Sequence, residues 1–177
     1  MTVTSTEISI GAALSREAAR QPDAMAVQCG SDVRSWRELD LATNRIARGL
    51  AAKGVGFGDF LTIALPNGVA FIEACYAAWK LGAVPQPVSF RLPIAELKAI
   101  AELANTPLIV GDVPLEAGKP VFSIADLLAA SADDSALEDR VSPAWKAPTS
   151  GGSTGRPKLI VAGQPGFTSP LSSAFWR

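Results

Sequence analysis

Residues 58–89 read GDFLTIALPNGVAFIEACYAAWKLGAVPQPVS, and their pattern decides the fold. Phe60-Leu61-Thr62-Ile63-Ala64-Leu65 is a nearly continuous apolar run set between Gly58-Asp59 and Pro66-Asn67. A strand with one wet face alternates apolar and polar residues. This run does not, so it is expected to be buried on both faces, as the strands of parallel sheets are. Asn67 is placed to cap a helix over 68–81, apolar nearly all round and ending at Gly82, a residue that accepts left-handed backbone. Residues 83–89 then read as a second strand. Strand, helix, strand within about thirty residues is the crossover unit of a parallel sheet.

The flanking sequence extends the same pattern. Upstream, residues 8–21 place Ile10, Leu14 and Ala18 four apart, a short helix stopped by Pro22, and residues 25–29 (MAVQC) read as a strand. Ser35 and Glu38 have the spacing of a capping box, in which each side chain satisfies a backbone amide of the other residue. Leu39, Ala42, Ile46 and Leu50 follow on one face, so a helix is expected over 36–52, with Gly54 just past its end. Downstream, Pro93 opens a helix carrying Ile94, Leu97, Ile100, Ala101 and Ala104 in register, and Leu108-Ile109-Val110 is a third buried strand. A weaker strand over 120–122 and a short helix over 124–130, capped by Ser123, complete the alternation. The expectation is an α/β fold, a mainly parallel sheet flanked by helices. Residues 1–130 form this lobe, 131–148 are an acidic, proline-containing linker, and 149–177 hold a phosphate-binding loop and the start of a further lobe.

Composition narrows the function. The 177 residues are 48% hydrophobic and 19% charged, and a chain of that length buries about 70% of its unfolded surface, so a core is expected. Sixteen basic against seventeen acidic residues leave a net charge of −1, which argues against a broad nucleic-acid-binding face. There is no histidine, which removes Ser-His-Asp and Cys-His nucleophile systems and most transition-metal sites. The two cysteines, Cys29 and Cys75, have no metal-site spacing and read as reduced thiols. Residues 1–10 lack the basic flank and apolar core of a secretory signal. The longest apolar stretch, residues 69–84, is interrupted by Glu73 and Lys80 and is too short for a membrane span. A cytoplasmic protein is expected. Trp36, Trp79 and Trp145 fit core or subdomain contacts, with an aromatic acyl pocket as the alternative.

Only one segment speaks directly of chemistry. Thr149-Ser150-Gly151-Gly152-Ser153-Thr154-Gly155-Arg156-Pro157-Lys158 gathers three glycines, four hydroxyl side chains and two cations. Glycines let successive backbone amides converge on one anion, hydroxyls add hydrogen bonds to phosphate oxygens, and Lys158 adds a full charge. The spacing is not that of a Walker A loop, since Lys158 follows Pro157 and precedes Leu159. Gly54, Gly56 and Gly58 are not a dinucleotide fingerprint, because they lead from helix into strand. A flexible Gly/Ser linker would explain the glycines, but not Arg156-Pro157-Lys158 running into Leu159-Ile160-Val161.

Residues 152–158 (GSTGRPK) resemble the phosphate-binding signature of the adenylate-forming superfamily: acyl-CoA synthetases, luciferases and peptide-synthetase adenylation domains. Residues 35–39 (SWREL) are similar to that family's early helix start, 54–67 (GVGFGDFLTIALPN) to its next strand motif, 77–84 (AAWKLGAV) to the helix end after it, and 90–97 to the segment beyond. The likeness runs in order over residues 8–162. The double glycine, with Leu159-Ile160 behind Lys158, looks most like fatty-acyl and bile-acid or steroid-acid CoA ligases. The resemblance implies the N-terminal lobe of the family's large domain. It also implies a parent reaction in which a small carboxylic acid and ATP give an acyl-adenylate and pyrophosphate, followed by transfer to coenzyme A. Thr149, Ser150, Gly151, Gly152, Ser153, Thr154 and Gly155 would hold the nucleotide's phosphates, and Lys158 would be the catalytic cation. ATP, Mg2+ and coenzyme A are implied for the full-length parent, and fatty acid metabolism is its expected setting.

The resemblance also sets expectations about this chain by itself. The family's histidine motif, acidic metal group, ribose-binding aspartate and C-terminal lysine lie beyond residue 177. The chain is therefore expected to be inactive alone, either as a non-enzymatic fragment or as an assembly module completed by a separate C-terminal part. Thr149 to Gly155 is expected to be exposed and poorly ordered without nucleotide. An uncovered apolar face is expected to cause self-association.

Overall fold

Ser9 starts the first helix in the way a short hydroxyl side chain can, its Oγ accepting the Ala12 amide at 2.9 Å. It ends β1 (Ile8–Ser9) and precedes α1 (Ile10–Arg20). The computed structural model describes residues 7–114, 117–150 and 157–168. After α1 come β2 (Met25–Cys29) and β3 (Asp32–Ser35), then α2 (Trp36–Ala52). The reciprocal capping box of α2 is present: Glu38 N donates to Ser35 Oγ at 3.2 Å, and Ser35 N donates to Glu38 Oε2 at 2.7 Å. Those bonds hold the Glu38 carboxyl below its ordinary pKa. The elements β4 (Phe60–Ala64), α3 (Val69–Leu81) and β5 (Val84–Pro87) form the predicted crossover unit. They are followed by α4 (Ile94–Leu103), β6 (Ile109–Gly111), β7 (Val121–Phe122) and α5 (Ile124–Ala129). Three two-residue strands close the described chain: β8 (Thr149–Ser150), β9 (Lys158–Leu159) and β10 (Phe167–Thr168).

One sheet organises the lobe. Its strands run in the order β5-β4-β6-β7, and every neighbouring pair is parallel. Alternate residues of these strands enter two different cores. Leu61, Ile63 and Val110 pack with Ile46, Ala47 and Leu50 of α2, Ala74 and Ala78 of α3, and Leu127 of α5. On the opposite face Ala64 and Ile109 pack with Leu97 and Ala101 of α4. Farther along the same face Val84 meets Ala144 and Ala147, with Phe60, Leu159 and Ala162 against them. The expected α/β fold with helices on a parallel sheet is therefore the observed one. Gly82 has φ +73° at the end of α3, the left-handed backbone that its position required. Gly49 is fixed by closeness instead: a Cβ there would stand 2.3 Å from the Leu127 carbonyl oxygen, so α2 and α5 meet backbone to side chain-free backbone.

Three readings change. Residues 25–29 are a strand outside the parallel sheet, paired antiparallel with β3, a strand too polar (DVRS) to signal itself. Asn67 does not cap α3; Gly68 holds that position, without a side-chain cap. Residues 131–148 contain no helix or strand, but they do not hang free of the lobe. Arg45 donates to the Leu128 and Ser131 carbonyls, Asn44 to that of Asp134, and Arg48 to that of Ser135 while also pairing with Asp133. The start of this strap, residues 131–135, is held to α2 because three side chains on that one helix reach it.

Glu73 and Lys80, the polar interruptions in the apolar helix, are both buried. The Lys80 ammonium donates to Asp40 Oδ1 at 2.6 Å, to the Asp40 carbonyl at 3.1 Å and to Asn44 Oδ1 at 2.5 Å. Ser15 of α1 donates to the same Asp40 oxygen at 2.7 Å, so the cluster ties three helices together. Burial pushes the Lys80 pKa down against the pull of Asp40. Glu73 pairs with Arg34 of β3 at 3.1 Å.

Candidate nucleotide-phosphate site

The glycine-rich segment is carried by a hairpin longer than its two assigned strands. Thr149 faces Leu159 and Ser150 faces Lys158 in an antiparallel pair. The same register continues backward: Ile160 N donates to the Pro148 carbonyl at 2.8 Å, and Ala162 N to the Lys146 carbonyl at 3.0 Å. Lys146 and Pro148 stand in the approach to the loop. They are tolerated because the ladder uses their carbonyls, and a proline lacks only the N–H. The hairpin is fastened to the sheet where Ala147 N donates to the Pro85 carbonyl at 2.9 Å.

Of the predicted site residues, the structure brings Thr149, Ser150 and Lys158 together on facing strands. Lys158 is exposed. Thr149 and Ser150 are half-buried and in regular pairing, which corrects the expectation of an exposed, poorly ordered stretch for those two residues. Backbone pairing and the packing of Leu159 and Ala162 on Val84 supply the order. Gly151, Gly152, Ser153, Thr154 and Gly155 lie outside the described residues, as does the rest of that expectation.

Thr149 and Ser150 also line a cavity of about 490 Å³ at the carboxyl ends of β4 and β5. Its other polar side chains are Asn67 after β4, Ser89 after β5, and Glu96 on α4. The chain leaves β4 for β5 on one side and later returns to β6 on the other, so β4 is where the winding of the sheet reverses. Open α/β sheets bind ligands at such a point, outside the carboxyl ends of the strands. The volume suits a small molecule. Asn67, Ser89 and Glu96 were not singled out from the sequence; their signal was their place directly after, or across from, a strand's carboxyl end.

A larger groove, about 1210 Å³, opens between α1, β2 and α3, away from Thr149 and Ser150. Trp36, Tyr76, Trp79, Trp145 and Phe167 line it. Burial raises the Tyr76 hydroxyl and the Cys75 thiol to about 12 each, so both stay protonated and neither is set up as a nucleophile. Size alone would favour this groove, but none of the side chains expected to bind phosphate lines it. The smaller cavity is the better candidate. Among the described residues no group of three or more His, Cys, Asp or Glu could hold a metal ion, and no helix is long and apolar enough to cross a membrane.

Comparison with known proteins bears on the family and the fold. Residues 14–176 match the pattern of the family described as AMP-binding enzyme. The chain is 30% identical over 177 residues to pyochelin synthase PchD of Pseudomonas aeruginosa, covering 86% of this chain and 32% of that protein. It is 38% identical over 95 residues to a feruloyl-CoA synthase of an Amycolatopsis species, covering 53% of this chain and 19% of that one. Among solved structures it resembles O-succinylbenzoate coenzyme A synthetase (MenE) of Bacillus subtilis in complex with AMP. The TM-score is 0.76 at 23% identity, over 88% of this chain and 42% of that one. The chain therefore spans less than half the length of each of these relatives.

Proposed function

We propose a function from one premise: the chain belongs to the AMP-binding enzyme family. It is the N-terminal lobe of an enzyme that activates a small carboxylic acid with ATP, and it contributes the grip on the nucleotide's phosphates. The observation that carries this reading is the hairpin that pairs Ser150 with Lys158 and places two hydroxyl residues, Thr149 and Ser150, in the lining of a cavity at the sheet's switch point. That donor set fits phosphate oxygens. ATP supplies the electrophilic phosphorus when bound. Thr149 and Ser150, with the amides and hydroxyls of residues 151–155, hold its β- and γ-phosphates. Lys158 neutralises the charge that collects on departing pyrophosphate, and one such donor can be worth about 3 kcal/mol in the transition state. Among the described residues no group of three or more His, Cys, Asp or Glu could hold Mg2+.

In the parent protein the acyl group passes on to the thiol of coenzyme A. The feruloyl-CoA synthase likeness supports this, and the Gly151-Gly152 and Leu159-Ile160 pattern supports a fatty-acyl or bile-acid type of acid. The likeness to pyochelin synthase over 86% of the chain supports a second reading, a peptide-synthetase adenylation domain. Both share the adenylation step.

Alone, the chain holds phosphates without orienting a carboxylate, and orientation can account for about 7–11 kcal/mol of such a barrier. It is expected to bind ATP with a roughly millimolar Kd, equivalent to about 4 kcal/mol, and to give no carboxylate-dependent ATP–pyrophosphate exchange. Broadening of the ATP 31P resonances measures the binding, and Lys158→Ala is expected to abolish it. No binding by the unaltered chain at 10 mM ATP, a concentration about tenfold above that Kd, would refute the reading. Robust exchange lost on Lys158→Ala would show instead that the lobe is a complete enzyme.

A further inference from the structure

The hairpin that carries Thr149, Ser150 and Lys158 is held at its base by a side chain from outside it. Trp79, on the last turn of α3, donates its indole Nε1–H to the Trp145 carbonyl at 2.8 Å. Trp145 is four residues before Thr149, and its own amide donates to the Gln164 carbonyl at 3.1 Å, closing the bottom of the ladder. The indole itself is oriented. Tyr76, three residues earlier on the same helix, meets the Trp79 ring edge to face, with centroids 5.2 Å apart and planes at 84°. On the far side Lys146 lies over the Trp145 ring, its Nζ 4.1 Å from the centroid. Tyr76, Trp79, Trp145 and Lys146 thus form a clamp, with the hairpin's lowest rung inside it.

We propose that Trp79 is a positioning residue for the phosphate grip, acting through the Trp145 carbonyl. The inference rests on the functional reading above. Its physical basis is leverage. Five residue steps separate Trp145 from Ser150, about 16 Å of extended chain. A tilt of about 4° at the base would move the end of the stem by about 1 Å, a displacement that can cost orders of magnitude where charged groups must meet a phosphate. The Ala147–Pro85 bond and the packing of Ala147, Leu159 and Ala162 on Val84 all hold the stem to the single edge strand β5, and a stem held along one strand can still rock. The indole bond, made from a different element, supplies a hold away from that strand. No local pattern marks Trp79 for this role, because its partner is a main-chain carbonyl 66 residues away.

Trp79→Phe removes the N–H and keeps an aromatic ring against Tyr76. With the full chain, three measurements decide: ATP binding by 31P line broadening, the urea midpoint, and amide exchange along 144–162. The expected result is ATP binding about three- to tenfold weaker, the worth of one hydrogen bond. Exchange should quicken in the hairpin stem while the α2 and α3 core amides and the urea midpoint stay unchanged. Unchanged ATP binding in Trp79→Phe, with Lys158→Ala still abolishing it, overturns the positioning role and leaves the functional reading standing. Weakened binding accompanied by a parallel fall in midpoint also overturns it, since the indole would then serve the fold at large. Failure of the unaltered chain to bind ATP overturns both.

Discussion

Replacing Asp40 by Asn tests whether the buried cluster at the junction of α1, α2 and α3 is held by charge. The change keeps size and shape but leaves the Lys80 ammonium without a counter-ion. The two side chains are only 4% and 15% exposed, so water cannot easily replace the lost carboxylate. At 2.6 Å the pair's Coulomb energy is about 6 kcal/mol with an effective dielectric constant of 20. Some of that is recovered, because the Asp40 carbonyl and Asn44 Oδ1 still accept from Lys80. The expected loss is therefore about 3–4 kcal/mol, within the range for breaking a buried pair from one side. Small domains have urea slopes of about 2 kcal/mol/M, so the midpoint should fall by about 1.5–2 M. Adding Lys80→Met to Asp40→Asn removes the stranded charge and should restore more than half of the loss. Equilibrium urea unfolding followed by tryptophan fluorescence gives all three midpoints. A double variant no more stable than Asp40→Asn would refute the reasoning and show that shape, not charge, governs the site.

Glu73 provides a pH test whose sign follows from burial. Desolvation raises its folded pKa above 4.5 more than Arg34 lowers it, so its favourable contribution is present below pH 4.5 and is lost as pH rises through the folded value. The stability difference between Glu73→Gln and the unaltered chain should therefore grow as pH rises across that window; a pH-independent difference would contradict the burial argument. Gly49→Ala should destabilise by about 1–3 kcal/mol, because its methyl group would press on the Leu127 carbonyl and α5 would have to move. A thermal melt within 1 °C of the unaltered protein, where about 1 kcal/mol shifts a domain of this size by several degrees, would show that α5 shifts freely.

The core of the fold was legible because its signals are local. The capping box at Ser35, the left-handed Gly82 and the apolar run at 60–65 each act within a few residues, and each is found where the spacing put it. What escaped notice depends on partners outside the segment itself. β3 is a strand only because β2 pairs with it, since Asp32-Val33-Arg34-Ser35 has no apolar pattern of its own. Residues 131–148 read as a linker because they are polar, whereas what holds them is the reach of Arg45, Arg48 and Asn44 from α2. The site divides in the same way. Lys158 and its hydroxyl neighbours announce themselves by composition. Asn67, Ser89 and Glu96 reach the cavity only through the order of strands in the sheet.

The strap of residues 131–148 has a consequence for what can change in it. Arg45, Asn44 and Arg48 bond the main-chain oxygens of Leu128, Ser131, Asp134 and Ser135, and every amino acid supplies such an oxygen. Where only that oxygen is used, as at Asp134, the side chain can be exchanged with little effect, unlike Asp133, which pairs with Arg48, or the buried Ala144 and Ala147. An added or deleted residue cannot be absorbed so easily, because it would carry the following carbonyls out of reach of three groups spaced along one rigid helix. Residues 131–135 are thus bound more tightly in length than in composition, a spacer whose ruler is α2.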